Sequence, residues 1–358
     1  MVIGRARQDG ADRRKDAPSN GGRSLLNLRF RGDLAPLERR FQRIHVIINP
    51  ASGRNQPILN TLNDVFGEAD LRWQVSVTQR DQPIGNLAQD ALDRDADLVA
   101  VYGGDGTIME VARGLIGSDV PMAILPGGTA NALSLALGIP GDLAAACRLI
   151  AGGESRIRAV DVGRAQEGFF LVAVGIGIPG ELIASGDREE KDRFGALSYL
   201  VRALQALSRA EVSRYRLTLD DQTVETEGVT CLIANAGSFG VPGLSLADGI
   251  YLDDGLLDVL VLRAADIRSV AAIVGNLARG GSMVQEAPRD AAEPETEEVQ
   301  NGAMQHWQAA RVTVETDPPQ AIQVDGELSE AGAVQAAVIP GAIRVLVPAG
   351  GDAEGEAV

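Results

Sequence analysis

The Gly-Gly-Asp-Gly-Thr turn at residues 103–107 constrains the fold of this chain more than any other feature. The apolar run Leu98–Tyr102 before it predicts a buried strand, and apolar residues at helical spacing from Ile108 onwards predict a helix after it. Glycines let a backbone approach a bulky anion closely, and the dipole at a helix N-terminus attracts that anion. The pattern therefore predicts a phosphate-binding turn. An ordinary strand-to-helix turn, with Thr107 capping the helix, is the alternative.

This turn differs from the two common phosphate-binding loops. A dinucleotide-binding G-x-G-x-x-G motif would need a glycine where Met109 stands, and a P-loop would need a lysine after its last glycine. The only two lysines, Lys15 and Lys191, lie away from the glycine-rich turns. Phosphate charge would therefore be met by backbone N–H groups, arginines and a divalent cation.

Two further strand ends carry similar loops. The apolar run His45–Ile48 leads into Asn49–Gly53, and the run Met122–Leu125 leads into a loop that ends at Asn131. A helical pattern follows each loop. Ligands of open α/β sheets bind at the carboxyl ends of the strands, so the three loops together predict one ligand site.

Four motifs occur in one order along the chain: Asn49-Pro-x-Ser-Gly53, Gly103-Gly-Asp-Gly-Thr107 with Glu110, Gly127-Gly-Thr-Ala-Asn131, and Val324-Asp-Gly-Glu327. With them, residues 44–348 resemble the diacylglycerol kinase catalytic-domain family, especially its soluble bacterial lipid kinases, with sphingosine and ceramide kinases as relatives. The second motif is shared with NAD kinases and phosphofructokinases. The Asn-Pro-x-Ser-Gly motif is typical of the lipid kinase branch.

The resemblance implies an ATP- and Mg²⁺-dependent enzyme that phosphorylates a lipid hydroxyl at the membrane surface, with diacylglycerol or a related glycerolipid as the predicted acceptor. A sphingoid-base or ceramide kinase, an NAD-kinase-like enzyme and a catalytically silent nucleotide-binding homologue are the alternatives. The residues that it implies around the nucleotide are Asn49, Pro50, Ala51, Ser52, Gly53, Thr78, Gly103, Gly104, Asp105, Gly106, Thr107, Glu110, Gly128, Thr129 and Asn131.

The resemblance also implies catalytic and metal-binding residues. Glu327 would be the proton acceptor, Asp105 would stand close to it, and Asp161 would organise the catalytic Mg²⁺ through water. A second, structural Mg²⁺ would be bound by the Asp254 carboxylate and by the carbonyls of Tyr251 and Leu256. Both Asp-Gly pairs involved are also typical of ordinary hairpin turns.

Two departures from the family pattern leave the acceptor open. Met109 stands where the family often has Asn, and Ala132 stands where many diacylglycerol kinases have Asp. Neither position carries a residue to which the resemblance gives a catalytic role.

The distribution of elements predicts two domains. Alternating strands and helices over 44–158 predict an α/β domain with a doubly wound parallel sheet, and the strand-rich pattern over 159–348 predicts a β-sandwich, with the active site in the cleft between them. In the second half, strands are predicted at Val160–Arg164, Phe169–Gly175, Tyr215–Leu219, Val229–Asn235, Leu257–Leu262, Arg311–Glu315, Gln320–Val324, Val334–Val338 and Ile343–Val347. Two helices are predicted between them, near Leu197–Ala210 and Ile267–Ala278. A disordered loop is predicted over Glu286–Gln300, and residues 349–358 are predicted to form a tail.

Charge is unevenly distributed along the chain. Residues 1–43 hold 11 Lys or Arg and 5 Asp or Glu, whereas the remaining 315 residues hold 22 and 44. The basic arm either contacts an anionic membrane surface or is a disordered extension. No nucleic-acid partner is predicted, and a homodimer is left open.

The cysteine content and the hydropathy of the chain indicate the cellular compartment in which the protein works. Cys147 and Cys231 both lie in apolar segments and predict buried thiols in a reduced, cytoplasmic protein without a disulfide. No apolar run approaches the length of a membrane span, so the chain is predicted to meet a lipid as a peripheral protein. The two histidines are too few for a zinc site.

Overall fold

The computed structural model describes residues 41–53, 56–166, 168–177, 210–238, 246, 249–263, 304–330 and 332–350. The predicted basic arm up to residue 40, the predicted helix near Ile267–Ala278, the predicted loop Glu286–Gln300 and most of the predicted helix near Leu197–Ala210 lie outside the described residues. In the described part, two β-sheets and five helices form the fold.

Four parallel strands form the α/β half in the order β2-β1-β3-β4. Strands β1, β3 and β4 are buried along their whole length, as expected for parallel strands covered on both faces. Their near-continuous apolar sequences follow from this burial. The bounds of the four strands are β1 Ile44–Ile48, β2 Trp73–Val77, β3 Leu98–Gly103 and β4 Met122–Pro126.

Five helices accompany these strands: α1 Ile58–Glu68, α2 Ile84–Asp93, α3 Asp105–Leu115, α4 Ala132–Ala136 and α5 Leu143–Ile150. Small residues let α2 and α3 pack closely, since a Cβ added at Gly114 would lie 2.6 Å from the Gly85 carbonyl oxygen. The Asp142 carboxylate accepts a hydrogen bond from the Ala145 N–H at 2.8 Å and so caps α5.

The first sheet does not end with the parallel strands. Its order continues from β4 through β16 and β13 to β8 and β9, and β5 pairs with β16 and with β6. Strand β5 spans residues on both sides of the predicted domain boundary at 158 and 159. The added strands are β5 Ser155–Ala165, β6 Gly168–Phe170, β8 Ser213–Leu219, β9 Gln222–Gly228, β13 Arg311–Asp317 and β16 Val334–Pro348.

The second sheet is antiparallel, with the order β12-β11-β10-β7-β14-β15. It forms the β-sandwich half with the antiparallel part of the first sheet, which confirms the predicted fold class. The strands of this sheet are β7 Ala173–Ile176, β10 Thr230–Ala234, β11 Leu257–Leu262, β12 Met304–Ala309, β14 Ile322–Val324 and β15 Glu327–Ser329.

Two predicted strand patterns take a different form in the structure. The run Phe169–Gly175 is divided between β6 and β7, which lie in different sheets, so the chain crosses between the sheets at residues 171–172. Conversely, Val334–Val338 and Ile343–Val347 belong to one strand, β16. Its pairing with β5 shifts register between Ile339 and Ile343, because Pro340-Gly341 interrupts the ladder without ending it.

The interior of the described residues is mostly apolar. Cys147 and Cys231 are buried and free, as predicted, and burial raises the pKa of the Cys147 thiol to about 12. Among the residues that the structure describes, no helix is both long and apolar enough to cross a membrane.

Candidate active site

The backbones of the three predicted loops meet at the carboxyl ends of β1, β3 and β4. A Cβ added at Gly53 would lie 2.1 Å from the Gly127 carbonyl oxygen, and one added at Gly128 would lie 2.6 Å from the Gly104 Cα. Real Cβ atoms do not approach other atoms this closely. The structure therefore brings the first, second and third loops together, and glycine is what allows the contact.

Side chains join the same loops. Asn49 donates from Nδ2 to Thr107 Oγ1 at 2.8 Å, and its Oδ1 accepts from the Ala51 N–H at 3.0 Å. Asn131 donates to the Gly128 carbonyl at 2.8 Å and accepts from the Gly128 N–H at 2.9 Å. The asparagines that the sequence analysis selected thus fix the loops on which they lie.

Tyr102 and Gln56 also belong to this loop cluster, although the sequence analysis gave neither of them a role. Gln56 donates from Nε2 to Tyr102 Oη at 2.8 Å, and the Tyr102 side chain is fully buried. The tyrosine ring lies directly under Gly127, whose added Cβ would be 2.8 Å from Cζ. An aromatic residue at the end of an apolar strand, just before the glycine turn, is the signal that could have identified Tyr102.

Other predicted nucleotide contacts lie around these loops. The Thr78 N–H donates to the Ile48 carbonyl at 2.9 Å, which places Thr78 at the carboxyl end of β2. Glu110 forms an ion pair with Arg113 at 3.1 Å on α3. Ser52 is buried, whereas Thr129 is exposed and free to contact a ligand.

The Asp105 carboxylate lies at the first turn of α4. Burial raises its pKa, while the backbone N–H groups of Asn131, Ala132 and Leu133 lower it by hydrogen bonding. Its Oδ1 is buried and has no hydrogen-bond partner within the described part of the chain. A buried carboxylate oxygen without a partner is costly, and a cation is one species that would compensate it.

Asp325 lies near Asp105 and begins the turn between β14 and β15. Its carboxylate accepts hydrogen bonds from the N–H groups of Leu171, Val172 and Ala173 at 2.8, 3.0 and 2.9 Å. Burial is the main cause that raises its pKa, and the negative charge of Asp105 raises it further. The structure thus brings the Asp-Gly-Glu motif close to the glycine-rich turn through Asp325.

Glu327 is the first residue of β15 and pairs with Val324 across the turn. Its side chain is exposed to solvent. The turn is tight, since Asp325 has a φ of 44° and Gly326 a φ of 96°. Asp325-Gly326 thus forms a hairpin turn, and this turn leaves the Glu327 side chain accessible for the predicted role as proton acceptor.

Asp161 lies in a different group of carboxylates. Its Oδ2 accepts from the Gly255 N–H and its Oδ1 from the Gly341 N–H, both at 2.7 Å. Burial raises its pKa, and its charged neighbours include Asp253 and Arg158. The structure thus groups Asp161 with the turn at Tyr251–Leu256, and its predicted action on a magnesium ion near Asp105 stays a prediction.

The turn at Tyr251–Leu256 holds a carboxylate under electrostatic strain. Asp254 accepts from the Leu256 N–H at 2.9 Å, and burial, together with the charges of Asp258, Asp161 and Asp253, raises its pKa to about 7. Asp253 is paired with the Arg158 guanidinium through two hydrogen bonds of 2.9 and 2.8 Å. A bound cation would relieve the repulsion at Asp254.

The donor set at this turn fits Mg²⁺ only if backbone oxygens take part. The described residues contain no group of three or more His, Cys, Asp or Glu side chains that could hold a metal. One carboxylate with two carbonyls, as predicted for Asp254, Tyr251 and Leu256, is an oxygen-only set of the kind that hard cations prefer. By donor type these residues suit Mg²⁺, and the site itself stays a prediction.

Comparisons with known proteins identify the family of this chain. The sequence profile of the diacylglycerol kinase catalytic domain matches residues 43–165, and that of the YegS C-terminal NAD kinase beta sandwich-like domain matches residues 173–292. Over 288 residues the chain is 30% identical to the "Probable lipid kinase YegS-like" of Pseudomonas aeruginosa. This alignment covers 79% of this chain and 87% of that protein. It is 27% identical over 321 residues to an uncharacterized protein of Synechocystis sp., covering 85% of this chain and 70% of that protein.

A solved structure has the same architecture. The crystal structure of a diacylglycerol kinase from Bacillus anthracis str. Sterne superposes with a TM-score of 0.66 at 26% identity, covering 87% of this chain and 98% of that chain. The family matches and the shared architecture are those of a lipid kinase. The chain belongs to the diacylglycerol kinase catalytic-domain family of lipid kinases.

Proposed function

We propose that this protein transfers the γ-phosphoryl group of ATP to the hydroxyl of a glycerolipid, with diacylglycerol as the first candidate. The observation that carries the proposal is the meeting of three glycine-rich loops beside the buried Asp105 carboxylate, with the Asp-Gly-Glu hairpin next to it. Phosphoryl transfer depends on the positioning and neutralisation of phosphate oxygens, which backbone N–H groups and carboxylate-bound cations provide.

In the proposed mechanism, the loops, Glu327 and the two carboxylates Asp105 and Asp254 have separate roles. The loops at 49–53, 103–107 and 128–131 bind and orient the phosphates, and Glu327 accepts the proton of the attacking lipid hydroxyl. Asp105 would hold a catalytic Mg²⁺ and Asp254 a structural one. When bound near the phosphates, Mg²⁺ neutralises charge that develops on the transferred group.

Gly106→Ala separates nucleotide binding from folding. Apart from its own helix and chain neighbours, a Cβ at Gly106 would meet no atom of the described residues within 4 Å, which leaves space for a phosphate. We expect Tm to stay the same or rise, because alanine favours the first turn of α3 by up to about 1 kcal/mol. We expect KM for ATP to rise by about tenfold or more, which corresponds to about 1.4 kcal/mol of lost binding. Differential scanning fluorimetry and steady-state kinetics measure the two effects, and an unchanged KM would contradict the assignment of this space.

Removal of Mg²⁺ tests the proposed metal at Asp254. Because a ligand that binds only the folded state stabilises it, we expect millimolar Mg²⁺ to raise Tm by several degrees, equivalent to about 1–3 kcal/mol. We expect Asp254→Asn to show little of this rise. Asp93→Asn, which neutralises an exposed aspartate at the end of α2, should keep it. Thermal unfolding in EDTA and in Mg²⁺ measures the difference, and an equal rise in all three proteins would argue for unspecific binding to the acidic body.

The reaction and its acceptor are tested together. Purified protein is incubated with labelled ATP, Mg²⁺ and mixed micelles that contain diacylglycerol and a sphingoid base, and the organic phase is analysed for labelled lipid. We expect kcat/KM to favour diacylglycerol, and a ratio in favour of the sphingoid base would change the acceptor while the lipid kinase assignment remains. Label only in water-soluble product would contradict a lipid acceptor.

Peripheral attachment to membranes is proposed from the charge of the basic arm. The deletion that tests it ends at residue 40, because Phe41 packs against the core and the N–H groups of Gln42 and Arg43 each donate to the Asp97 carboxylate at 2.9 Å. We expect the shortened protein to bind anionic vesicles more weakly than the full chain at low salt, where exposed charges are least screened, with Tm nearly unchanged. Vesicle sedimentation measures the binding, with zwitterionic vesicles as the control. Equal binding of both proteins would leave the arm without a membrane role.

A further inference from the structure

The segment Leu171–Ala173, where the chain crosses from one sheet to the other, is held from two sides by the partly buried side chain of Asp325 and the buried side chain of Asn235. On the first side, all three of its N–H groups donate to the Asp325 carboxylate at 2.8–3.0 Å. A carboxylate can accept several such bonds at once, since its two oxygens carry about four lone-pair sites. No neutral side chain of the same length offers this.

Asn235, which directly follows β10, holds the other side of the segment. Its Nδ2 donates to the Leu171 carbonyl and to the Asp161 carbonyl, both at 3.0 Å, and its backbone N–H donates to the Val172 carbonyl at 2.8 Å. The residue is 1% exposed. A primary amide can donate twice, whereas a hydroxyl at this position would donate once.

The clamped segment determines where the Asp-Gly-Glu hairpin lies. The Asp325 N–H donates to the Ala173 carbonyl at 3.0 Å, and Val324 pairs with Val174 in the neighbouring strand. Both the backbone and the side chain of Asp325 are thus bonded to residues 171–173, and Glu327 follows two residues later. A shift of this segment would move Glu327 relative to Asp105.

We propose that Asp325 and Asn235 are positioning residues for Glu327, which they hold through the segment Leu171–Ala173. The inference rests on the proposed function, since it takes Glu327 as the proton acceptor. It predicts that losing either clamp lowers kcat much more than it changes KM for ATP, because the loop cluster that binds the nucleotide lies on other elements. A displacement of about 1 Å at a reacting group costs about 100-fold in rate.

The experiment is a double-mutant cycle with a matched control. Asn235→Ala and Asp325→Asn are each made in the wild type and in Glu327→Gln. The control is Thr230→Val on β10, which removes a buried hydroxyl that donates to the Ile176 carbonyl at 2.8 Å outside the clamp. kcat, KM for ATP and Tm are measured for every protein. Should Asn235→Ala not fold, Asn235→Ser, which keeps one donor, takes its place in the cycle.

We expect each clamp variant to lower kcat by about tenfold or more in the wild type and by less than about threefold in Glu327→Gln. If the clamp acts through Glu327, its loss has little further effect once Glu327 is replaced, so the two effects are not additive. Thr230→Val should lower Tm with less than about a threefold change in kcat. Hydrogen exchange at the amides of residues 171–173 should become at least about tenfold faster in Asp325→Asn while the folded state persists.

The results of these experiments can contradict the positioning role without contradicting the proposed function. Equal losses of kcat in both backgrounds, a loss in Thr230→Val as large as in Asn235→Ala, or unchanged exchange at residues 171–173 would overturn the positioning role alone. An unchanged kcat in Glu327→Gln itself would overturn the proposed proton acceptor, and the positioning role with it.

Discussion

Replacement of Glu327 by glutamine is expected to lower kcat for lipid phosphorylation by about 100-fold or more, because general-base catalysis contributes about 10²–10⁴ to a rate. The glutamine amide has the same shape as the carboxylate but cannot accept the proton of the lipid hydroxyl. The side chain is exposed at the start of β15, so the fold should be unaffected. Single-turnover kinetics with labelled ATP measure the chemical step directly.

Glu330→Gln is the matched control for this prediction. Glu330 is also exposed and lies directly after β15, so the two variants make the same chemical change on the same hairpin. We expect Glu330→Gln to keep kcat within about twofold, since surface substitutions away from a site are usually close to neutral. If both variants kept full activity, another group would have to accept the proton.

Gly53→Ala is expected to weaken both folding and nucleotide binding. Gly53 has a φ of +78°, and its new Cβ would lie 2.1 Å from the Gly127 carbonyl oxygen and 2.8 Å from Tyr102 Oη. The left-handed conformation alone costs a residue with a side chain about 1–2 kcal/mol. The clash adds to this cost and separates the first loop from the third. We expect KM for ATP to rise by at least about tenfold, because the two loops would no longer face the same phosphates.

Gly117→Ala is the control that measures the cost of the left-handed backbone conformation without a steric clash. Gly117 has a φ of +79°, almost the same as that of Gly53, but a Cβ there would contact none of the other residues that the structure describes within 4 Å. We expect this variant to lose about 1–2 kcal/mol of folding free energy with KM for ATP unchanged. Denaturant unfolding and ATP kinetics on both variants measure the two contributions. Equal losses of stability and equal KM values would show that contact between the loops has no part in binding.

Local patterns were sufficient to predict the α/β half and the loops of the site. The buried strands β1, β3 and β4 are short apolar runs that end in small residues, and parallel strands place such ends at one edge of a sheet. The meeting of the loops at residues 53, 104 and 127–128 was therefore predictable from periodicity and glycine position.

In the β-sandwich half, the contacts that hold the candidate site join residues far apart in sequence. Local sequence patterns cannot predict such contacts. Asp325 bonds residues about 150 positions earlier, and Asp161 bonds Gly341, 180 positions later. An Asp-Gly pair after a strand has the same local signature whether its carboxylate is exposed or clamps another segment. Strands β9 and β12 were missed because polar side chains interrupt their apolar pattern.

Strand β16 completes the pairing of strands that are synthesised before it. It pairs with β5 along most of its length, with β13, and with β4 through Val345 and Met122, although about 220 residues separate β4 from that partner. Until the ribosome has released residue 348, β4 and β5 present open edges to other nascent chains. A fragment that stops after the α/β half should therefore aggregate, even though that half contains all three loops that meet at the candidate site. We therefore expect stable folding to depend on the synthesis of β16 rather than on completion of the three glycine-rich loops.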